Sequence, residues 1–319
     1  MNRPFFSIII PVYNTPETLL RRCLDSVVNQ DYKNFELICI NDGSTNNCLE
    51  VLGEYAQKFP QVKIISKPNS GISSARNTGL ETAMGEYLLF SDHDDYFLRN
   101  TVLSELAEIL QKDDLDCIYF PVANVGEGWY VENNYEEKIY ERAWDCLEEH
   151  CLKPKLGVFG SIWCQCYKAS VIKENNLIFE EVFQRGTDDR LFTVQFFYFA
   201  QKTFVYSKPI YCWVTHEAQT SEANKQKINK QKTIEEAFLF AEHLNMFLTD
   251  KKDVSHTEIK KYNNGFYRGM ILYAYNNKLN IPYSRKLLLK TGKADLKCFI
   301  KSVIMGVSVK LYSKLFKKK

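Results

Sequence analysis

The chain has 319 residues, of which 45% are hydrophobic and 25% are charged, a composition typical of a folded globular protein of about two domains. Its formal net charge of +2 disfavours a uniformly basic protein that binds nucleic acid. No apolar run approaches the ~18 residues that span a membrane, and the start of the chain shows no secretory signal, so we expect a cytoplasmic protein with reduced cysteines.

Strands and helices are predicted to alternate through the first hundred residues. The β-branched run 6–10 predicts a buried strand, and Thr15 and Pro16 predict the cap and first turn of a helix. The same pattern predicts strands over 35–40, 62–66 and 86–90, separated by helices over 46–59 and 72–84. This order predicts an α/β fold, with a mostly parallel sheet and helices on both faces.

Polar loops follow each of the four predicted strands. Ligands of parallel sheets bind beyond the carboxyl ends of the strands, where such loops converge. The candidate residues in these loops are Pro11, Tyr13, Asn14, Asp42, Asp92, His93, Asp94 and Asp95. We therefore expect a ligand site at this edge of the sheet.

The loop after the fourth strand carries three aspartates in four residues, Asp92, Asp94 and Asp95. Such carboxylates repel one another unless a cation or fixed donors compensate them. Oxygen ligands suit Mg²⁺ or Mn²⁺, which take one or two carboxylates and complete their coordination with phosphate and water. The alternative is a solvated turn that caps the next helix, which explains one aspartate more easily than three.

Three further residues are candidates for ligand contacts. The guanidinium of Arg76 offers a fork of donors that matches phosphate oxygens, although an exposed helical arginine fits its position equally well. Asp42 lies at a strand end, where a turn-forming aspartate is the alternative. His216 follows a predicted strand and is a candidate metal or phosphate ligand, although a lone histidine is more often structural.

The end of the chain differs from the rest in charge. Residues 290–319 contain nine lysines and one acid, a net charge of +8, against −6 for residues 1–289. Apolar residues recur at helical spacing among these lysines, which is typical of an amphipathic helix on an anionic membrane surface. A helix docked on the rest of the protein, with its lysines in water, is the alternative.

Taken in order, several motifs resemble the family 2 glycosyltransferases of GT-A fold. They lie at 7–14, 23–30, 41–45, 70–80, 85–87 and 92–95, so the match is dense over residues 5–100 and thin over 160–215. The resemblance implies a Rossmann-like GT-A catalytic domain over 1–215, with a nucleotide-sugar-binding half (1–100) and an acceptor-binding half (101–215). A helical region over 216–289 and the basic amphipathic tail over 290–319 are expected to follow.

The resemblance also implies an activity, the inverting transfer of a sugar from a nucleotide diphosphate donor, most often a UDP-sugar, to an acceptor hydroxyl. It implies that Asp42 contacts the base, that Pro11 and Tyr13 lie near the nucleoside, and that Arg76 approaches the diphosphate. Asn14, Asp92 and His93 complete the expected donor site. Asp94 is the expected Mn²⁺ or Mg²⁺ ligand, with Asp95, Asp92 and His216 as further candidates.

Residues 186–192 resemble the family's Gly-Glu-Asp segment, with Asp188 in place of the glutamate. The resemblance implies that Asp189, with Asp188 beside it, is the general base that takes the proton of the acceptor hydroxyl. A helix opening capped by Thr187 is compatible with the same residues. The QxxRW segment of processive members is absent from the sequence, which favours one sugar per binding event.

The leading interpretation is a metal-dependent hexosyltransferase that uses a glycan or lipid-linked acceptor in surface polysaccharide synthesis, on the cytoplasmic face of the membrane. Aromatic residues such as Trp129, Tyr130 and Trp144 could bind sugar rings or lie in the core. A sugar-nucleotide nucleotidyltransferase would need a glycine-rich basic loop after the first strand, and residues 11–14 are not one. Asp94, Asp95 and Asp189 disfavour a non-catalytic nucleotide- or glycan-binding module.

Overall fold

The computed structural model describes residues 3–125, 135–150, 161–183, 187–216 and 230–249. The chain divides into two compact units, Met1–Glu222 and Ala223–Lys319. The basic tail over 290–319, Trp129 and Tyr130 lie outside the described residues. No helix in the described part of the chain is both long and apolar enough to cross a membrane.

Strands and helices alternate through the first third of the chain, as the sequence predicts. The elements are β1 (Phe6–Val12), α1 (Glu17–Val28), β2 (Phe35–Asp42), α2 (Cys48–Lys58), β3 (Val62–Lys67), α3 (Ile72–Thr82) and β4 (Tyr87–Phe90). β1 pairs in parallel with β2 and β4, and β2 pairs in parallel with β3. Every residue of β1 and β2 is buried, which explains their near-continuous apolar sequences.

The rest of the first unit extends this sheet and adds a small second one. The elements are β5 (Tyr96–Phe97), α4 (Val102–Lys112), β6 (Cys117–Tyr119), β7 (Val122–Val125), β8 (Lys138–Tyr140), α5 (Ala143–His150), a 3₁₀ turn (Ile162–Cys164), β9 (Gln165–Lys168), α6 (Ala169–Glu174), α7 (Thr187–Phe199), β10 (Thr203–Val205) and β11 (Tyr211–Val214). Within the described residues, the main sheet has the order β3-β2-β1-β4-β9-β6-β10-β8 and the small sheet has the order β5-β11-β7. β9 runs antiparallel to β4 and β6, and β8 runs antiparallel to β10. The other neighbouring strands pair in parallel, so the main sheet is mostly parallel.

The small sheet determines where the late part of the chain meets the early part. β11 pairs antiparallel with β5, which directly follows the acidic loop 91–95. His216, which follows β11, therefore lies beside that loop. In the second unit, the described helix is α8 (Lys230–Thr249), which lies within the helical region expected over 216–289.

Two local expectations are resolved by the structure. The cap predicted at Thr15 is wrong, because α1 begins at Glu17 and Pro16 occupies the cap position with φ −55° and ψ 131°. The hydroxyl of Thr15 is instead buried and has no hydrogen-bond partner among the described residues. Trp144 belongs to the core, since it is 7% exposed and its ring packs edge-on against Tyr198 with centroids 6.1 Å apart.

A glycine in α3 allows this helix to lie close to β1. A Cβ built at Gly79 would lie 2.4 Å from Cγ2 of Ile9, a buried side chain of the central strand. Gly53 in α2 is different, because a Cβ there would have nothing within 4 Å. The two glycines therefore form a matched pair for testing the packing of α3.

We expect Gly79→Ala to lower the free energy of unfolding by about 1–3 kcal/mol, because overfilling a packed core costs about this much. Gly53→Ala should raise the same quantity by up to about 1 kcal/mol, since alanine favours a helix interior over glycine. Urea unfolding of both variants measures the changes. Equal stability of the two would show that α3 can move away from β1 without cost.

Candidate functional site

Asp42, at the end of β2, shapes the loop between β3 and α3. Its carboxylate is buried and accepts hydrogen bonds from the backbone N–H groups of Ser70 (3.0 Å) and Gly71 (2.9 Å). Lys67 Nζ lies 3.2 Å from the same carboxylate. Gly71 has a φ of 93°, a left-handed conformation that favours glycine. The structure therefore gives Asp42 a definite role in positioning this loop.

The loops that follow β1 and β2 are tied together beside it. Asn14 has a φ of 48°, and its Oδ1 accepts a hydrogen bond from the backbone N–H of Thr45 at 2.8 Å. Its own backbone N–H donates to Ser44 Oγ at 3.1 Å. Tyr13 is 47% exposed, whereas Pro11 is buried within β1. Tyr13 and Asn14 are therefore exposed to solvent at this edge of the sheet, whereas Pro11 is not.

Arg76 joins three separate parts of the chain. Its Nη1 donates to Asp188 Oδ2 at 2.9 Å and to Asp189 Oδ1 at 2.5 Å, both in the first turn of α7. Its Nη2 lies 3.5 Å from Asp92 Oδ1, in the loop after β4. The guanidinium is buried and also faces the ring of Phe179, 5.4 Å from its centroid. The sequence predicts separate roles for these residues, and the structure brings four of them into one cluster.

The segment that carries Phe179 is held against α3 by Asn77. The Asn77 side chain donates from Nδ2 to Phe179 O at 2.9 Å and accepts at Oδ1 from Phe179 N at 2.8 Å. Ser73, one turn earlier in α3, donates a hydrogen bond to Asp188 Oδ2 at 2.9 Å. The polar residues of α3 therefore position both the aromatic support of Arg76 and one of its carboxylate partners.

The cluster carries more negative than positive charge. One guanidinium faces three carboxylates, and Oδ1 of the fully buried Asp188 has no partner among the described residues. Burial raises the pKa of Asp189 to about 8, opposed by Arg76 and reinforced by Asp188 and Asp92. Burial also raises the pKa of Asp92. Such a site binds protons near neutral pH and favours a cationic ligand.

Asp94 and His216 meet at the other side of the acidic loop. His216 Nε2 lies 2.8 Å from Asp94 Oδ2, and His93 Nδ1 lies 4.0 Å from Asp94 Oδ1. Arg22 fixes the loop by donating from Nη2 to the backbone carbonyl of Asp94 at 2.8 Å. The structure thus places His216 beside the expected metal ligand, although 122 positions separate the two residues in sequence.

Asp95, a further candidate metal ligand from the sequence, is held by β11. Its Oδ2 accepts a hydrogen bond from Tyr211 Oη at 2.7 Å, and its Oδ1 accepts one from the backbone N–H of Val214 at 2.8 Å. The side chain is fully buried, and burial raises its pKa well above the usual value. Asp95 therefore anchors the acidic loop to β11, and its role as a metal ligand stays a prediction from the sequence.

The side chains of Asp94 and His216 fit a divalent cation that has further coordination positions open to a bound molecule. Among the described residues, no group of three or more His, Cys, Asp or Glu side chains could hold a metal ion. Asp94 Oδ2 and His216 Nε2 are 2.8 Å apart, close to the ~3 Å between adjacent ligands of an octahedral ion with bonds of ~2.1 Å. The carboxylate suits Mg²⁺ or Mn²⁺, and phosphate oxygens would complete the coordination of such an ion.

Sequence reasoning missed two residues of the site. Tyr211 Oη accepts a hydrogen bond from the backbone N–H of Asp92 at 2.9 Å while donating to Asp95, so it fixes two positions of the acidic loop. The backbone N–H of Ile162 stabilises the ionised carboxylate of Asp189. A backbone donor has no sequence signal, and a tyrosine in an apolar strand resembles any other core residue.

Comparison with known proteins gives a consistent family. The family described as "Glycosyl transferase family 2" matches residues 7–174. An uncharacterized glycosyltransferase of Escherichia coli (strain K12), YibD, is 28% identical over 263 residues, which cover 77% of this chain and 72% of that protein. A chondroitin synthase of Pasteurella multocida (strain Pm70) is 39% identical over 140 residues, which cover 44% of this chain but only 14% of that protein.

A solved structure shares the fold. The S. aureus TarS structure (1–349) in complex with UDP-GlcNAc has a TM-score of 0.68, covering 86% of this chain and 76% of that chain at 21% identity. At this identity the likeness shows the fold alone. It confirms the expected GT-A fold, with its mostly parallel sheet.

The raised pKa of Asp189 predicts a pH-dependent stability. Between its usual value of 3.8 and about 8, the folded protein holds a proton that the unfolded chain releases, so stability falls as pH rises through this window. Asp189→Asn removes this titration. Without added metal, the Tm of this variant relative to wild type should rise by about 2 °C or more between pH 5 and pH 8.

Thermal unfolding at several pH values measures this difference. Asp114→Asn is the control, since the Asp114 side chain is 91% exposed and its hydrogen bond with Lys168 lowers the pKa. Its Tm relative to wild type should not change with pH in this window. The same pH-independent difference for Asp189→Asn would contradict the raised pKa.

Proposed function

Since the chain belongs to glycosyl transferase family 2, we propose that it transfers a sugar, with inversion, from a UDP-sugar to a hydroxyl of a glycan or lipid-linked acceptor. The observation that carries this proposal is the juxtaposition of Arg76, Asp189 and the acidic loop at the carboxyl edge of the sheet. Asp189, a carboxylate of raised pKa, shares this edge with the proposed metal ligands Asp94 and His216. These are the two functions that such a transfer requires.

The loops after β1, β2 and β3 form the proposed nucleoside site. The exposed ring of Tyr13 is available to the nucleobase or the ribose, and Asp42 and Asn14 hold the neighbouring loops in place. A contact between Asp42 and the nucleobase would add to the hydrogen bonds that Asp42 makes with the β3–α3 loop. The UDP-GlcNAc complex of TarS, a protein of the same fold, supports a uridine nucleotide as donor.

Asp94 and His216 are the proposed ligands of a divalent cation at the diphosphate. When bound, such an ion supplies Lewis-acid stabilisation of the departing UDP. Asp92 is bonded to Arg76 and Asp95 is bonded to β11, so neither belongs to the proposed ligand set. His93, whose Nδ1 lies 4.0 Å from Asp94 Oδ1, is a further candidate for contact with the donor sugar.

Asp189 is the proposed general base. Its carboxylate takes the proton of the acceptor hydroxyl while that oxygen forms a bond to the anomeric carbon. The bond from this carbon to the diphosphate oxygen breaks, and UDP leaves with the electron pair. Arg76 orients the carboxylate through Oδ1, and a pKa near the working pH suits proton transfer. In this proposal Arg76 acts through the base instead of binding the diphosphate.

The acceptor and the cellular setting rest on indirect support. The chondroitin synthase of Pasteurella multocida is 39% identical to this chain over 140 residues, which supports a role in polysaccharide synthesis. Membrane association through residues 290–319 and a cytoplasmic location stay predictions from the sequence. The division of the chain at residues 100, 215 and 289 likewise stays a proposal.

Donor binding has a testable metal dependence. UDP with Mn²⁺ should raise the Tm far more than UDP and Mn²⁺ added separately, because both ligands share the Asp94–His216 site. At about 100 times the dissociation constant, binding stabilises the folded state by ~2.7 kcal/mol. Asp94→Ala and His216→Ala should remove most of this synergy in a thermal-shift assay, whereas Asp95→Asn should retain it in protein that still folds. Full synergy in both alanine variants would contradict the assigned ligands.

The chemical step can be tested with a panel of UDP- and GDP-sugars in the presence of Mn²⁺, by measuring sugar transfer and release of the nucleotide. Asp189→Asn keeps the shape of the side chain and removes the proton acceptor, so transfer should fall by roughly 10² to 10⁴ while UDP binding changes only a few-fold. Asp188→Asn is the matched control. A larger loss for that variant would exchange the roles of the two aspartates, and wild-type protein that uses no donor would contradict the proposed function.

A further inference from the structure

The 3₁₀ turn Ile162–Cys164 connects the two halves of the proposed reaction site. The turn packs against α7, the helix that carries Asp189. Its middle residue, Trp163, stacks its ring on Tyr211, with centroids 5.4 Å apart and planes at 15°. Tyr211 in turn hydrogen-bonds the acidic loop at Asp92 and Asp95. The turn that carries Trp163 therefore contacts the helix of the proposed general base and, through Tyr211, the acidic loop.

The two aromatic rings of this stack differ in exposure. Tyr211 is completely buried, whereas Trp163 retains partial exposure to solvent. Tyr211 covers one face of the indole, so the stack fixes the orientation of the ring. An indole held rigidly in this way offers apolar area without further loss of conformational entropy on binding. Neither the general base nor the proposed cation site makes use of it.

On the basis of the proposed function, we propose that Trp163 is a binding platform for the pyranose ring of the acceptor. The general base must reach the acceptor hydroxyl within hydrogen-bond distance, which places the acceptor ring beside Asp189. Trp163 stacks on Tyr211, which is hydrogen-bonded to Asp92, and Asp92 lies 3.5 Å from the guanidinium of Arg76 that also holds Asp189. The apolar C–H face of a pyranose packs on an indole, and its hydroxyls remain free for water or for the base.

This platform has a consequence for acceptor choice. A pyranose with equatorial hydroxyls presents C–H groups on both faces, whereas the axial hydroxyl of mannose or galactose interrupts one face and leaves the other free. Comparison of glucose-, N-acetylglucosamine-, mannose- and galactose-type acceptors therefore reports which face of the ring packs on the indole. The donor sugar has the same chemistry and reaches the same region, so the experiment must distinguish the two rings.

The test uses the full chain with Mn²⁺ and the UDP-sugar that the donor panel identifies. The acceptor probes are the methyl β-glycosides of glucose, N-acetylglucosamine and galactose and methyl α-mannoside. Trp163→Ala should raise the KM for the glucose-type acceptors about tenfold, since an aromatic contact contributes up to about that factor. The KM for the donor and the rate of donor hydrolysis without acceptor should stay within twofold. Trp163→Phe should restore most of the acceptor affinity.

Trp144→Phe is the matched control, because Trp144 is a core tryptophan that packs on Tyr198. It should leave both KM values unchanged. Binding of the same four glycosides, followed by quenching of tryptophan fluorescence, provides a readout without turnover, and Trp163→Phe should reduce the quenching. Circular dichroism establishes whether each variant is folded. If Trp163→Ala does not fold, the comparison of Trp163→Phe with wild type provides the test.

Three outcomes would overturn the platform. An equal rise in the KM for donor and acceptor would assign Trp163 to the donor sugar. A loss of thermal stability with both KM values unchanged would make the residue a packing element. A wild-type protein that hydrolyses the donor but neither uses nor binds any of the four glycosides would exclude a pyranose site here. Wild-type protein without donor hydrolysis is a separate result, which counts against the proposed function itself.

Discussion

The buried ion cluster around Arg76 is the interaction on which the site depends. Its guanidinium holds α3, the start of α7 and the loop after β4 within hydrogen-bond distance of one another. A buried charge needs partners, and here three carboxylates share one cation, so each of the three contacts restrains the others. Removing the guanidinium would leave the buried Asp188 and Asp189 and the partly exposed Asp92 uncompensated. Burial and the two neighbouring carboxylates raise the pKa of the proposed base, whereas Arg76, which fixes this base, opposes that rise.

The sheet explains why these groups can meet. Parallel pairing of β1 with β2 and β4 brings the loops that follow these strands to one edge. β11 then pairs with β5 and brings Tyr211, Val214 and His216 against the acidic loop. The early part of the chain provides the edge of the sheet that carries the proposed nucleotide site. The later part provides the residues that hold the acidic loop and the proposed general base.

Local patterns in the sequence were sufficient for the fold and for grouping the candidate residues at one edge of the sheet. Strand and helix periods predict the bounds of six of the first seven elements to within about two residues, and polar loops at strand ends predict the edge where the candidate residues lie. The roles within the acidic loop were harder to predict, because Asp92, Asp94 and Asp95 are equivalent in sequence. Only contacts with Arg76, His216 and β11 distinguish them, and these partners lie far away along the chain. Burial of Arg76 and the stacking of Trp163 depend on the same long-range contacts.

The attachment of the acidic loop to β11 has a consequence for the order of folding. Asp95 is 116 residues from Tyr211 and 119 from Val214, so the loop closes a long segment of chain when it is fixed. Contacts of such sequence separation form late, because their entropy cost must be met before they stabilise the structure. A chain emerging from the ribosome can therefore build β1 to β4 early, yet the acidic loop stays without its anchor until β11 has been synthesised. The proposed binding of a metal–diphosphate complex therefore depends on the synthesis of β11.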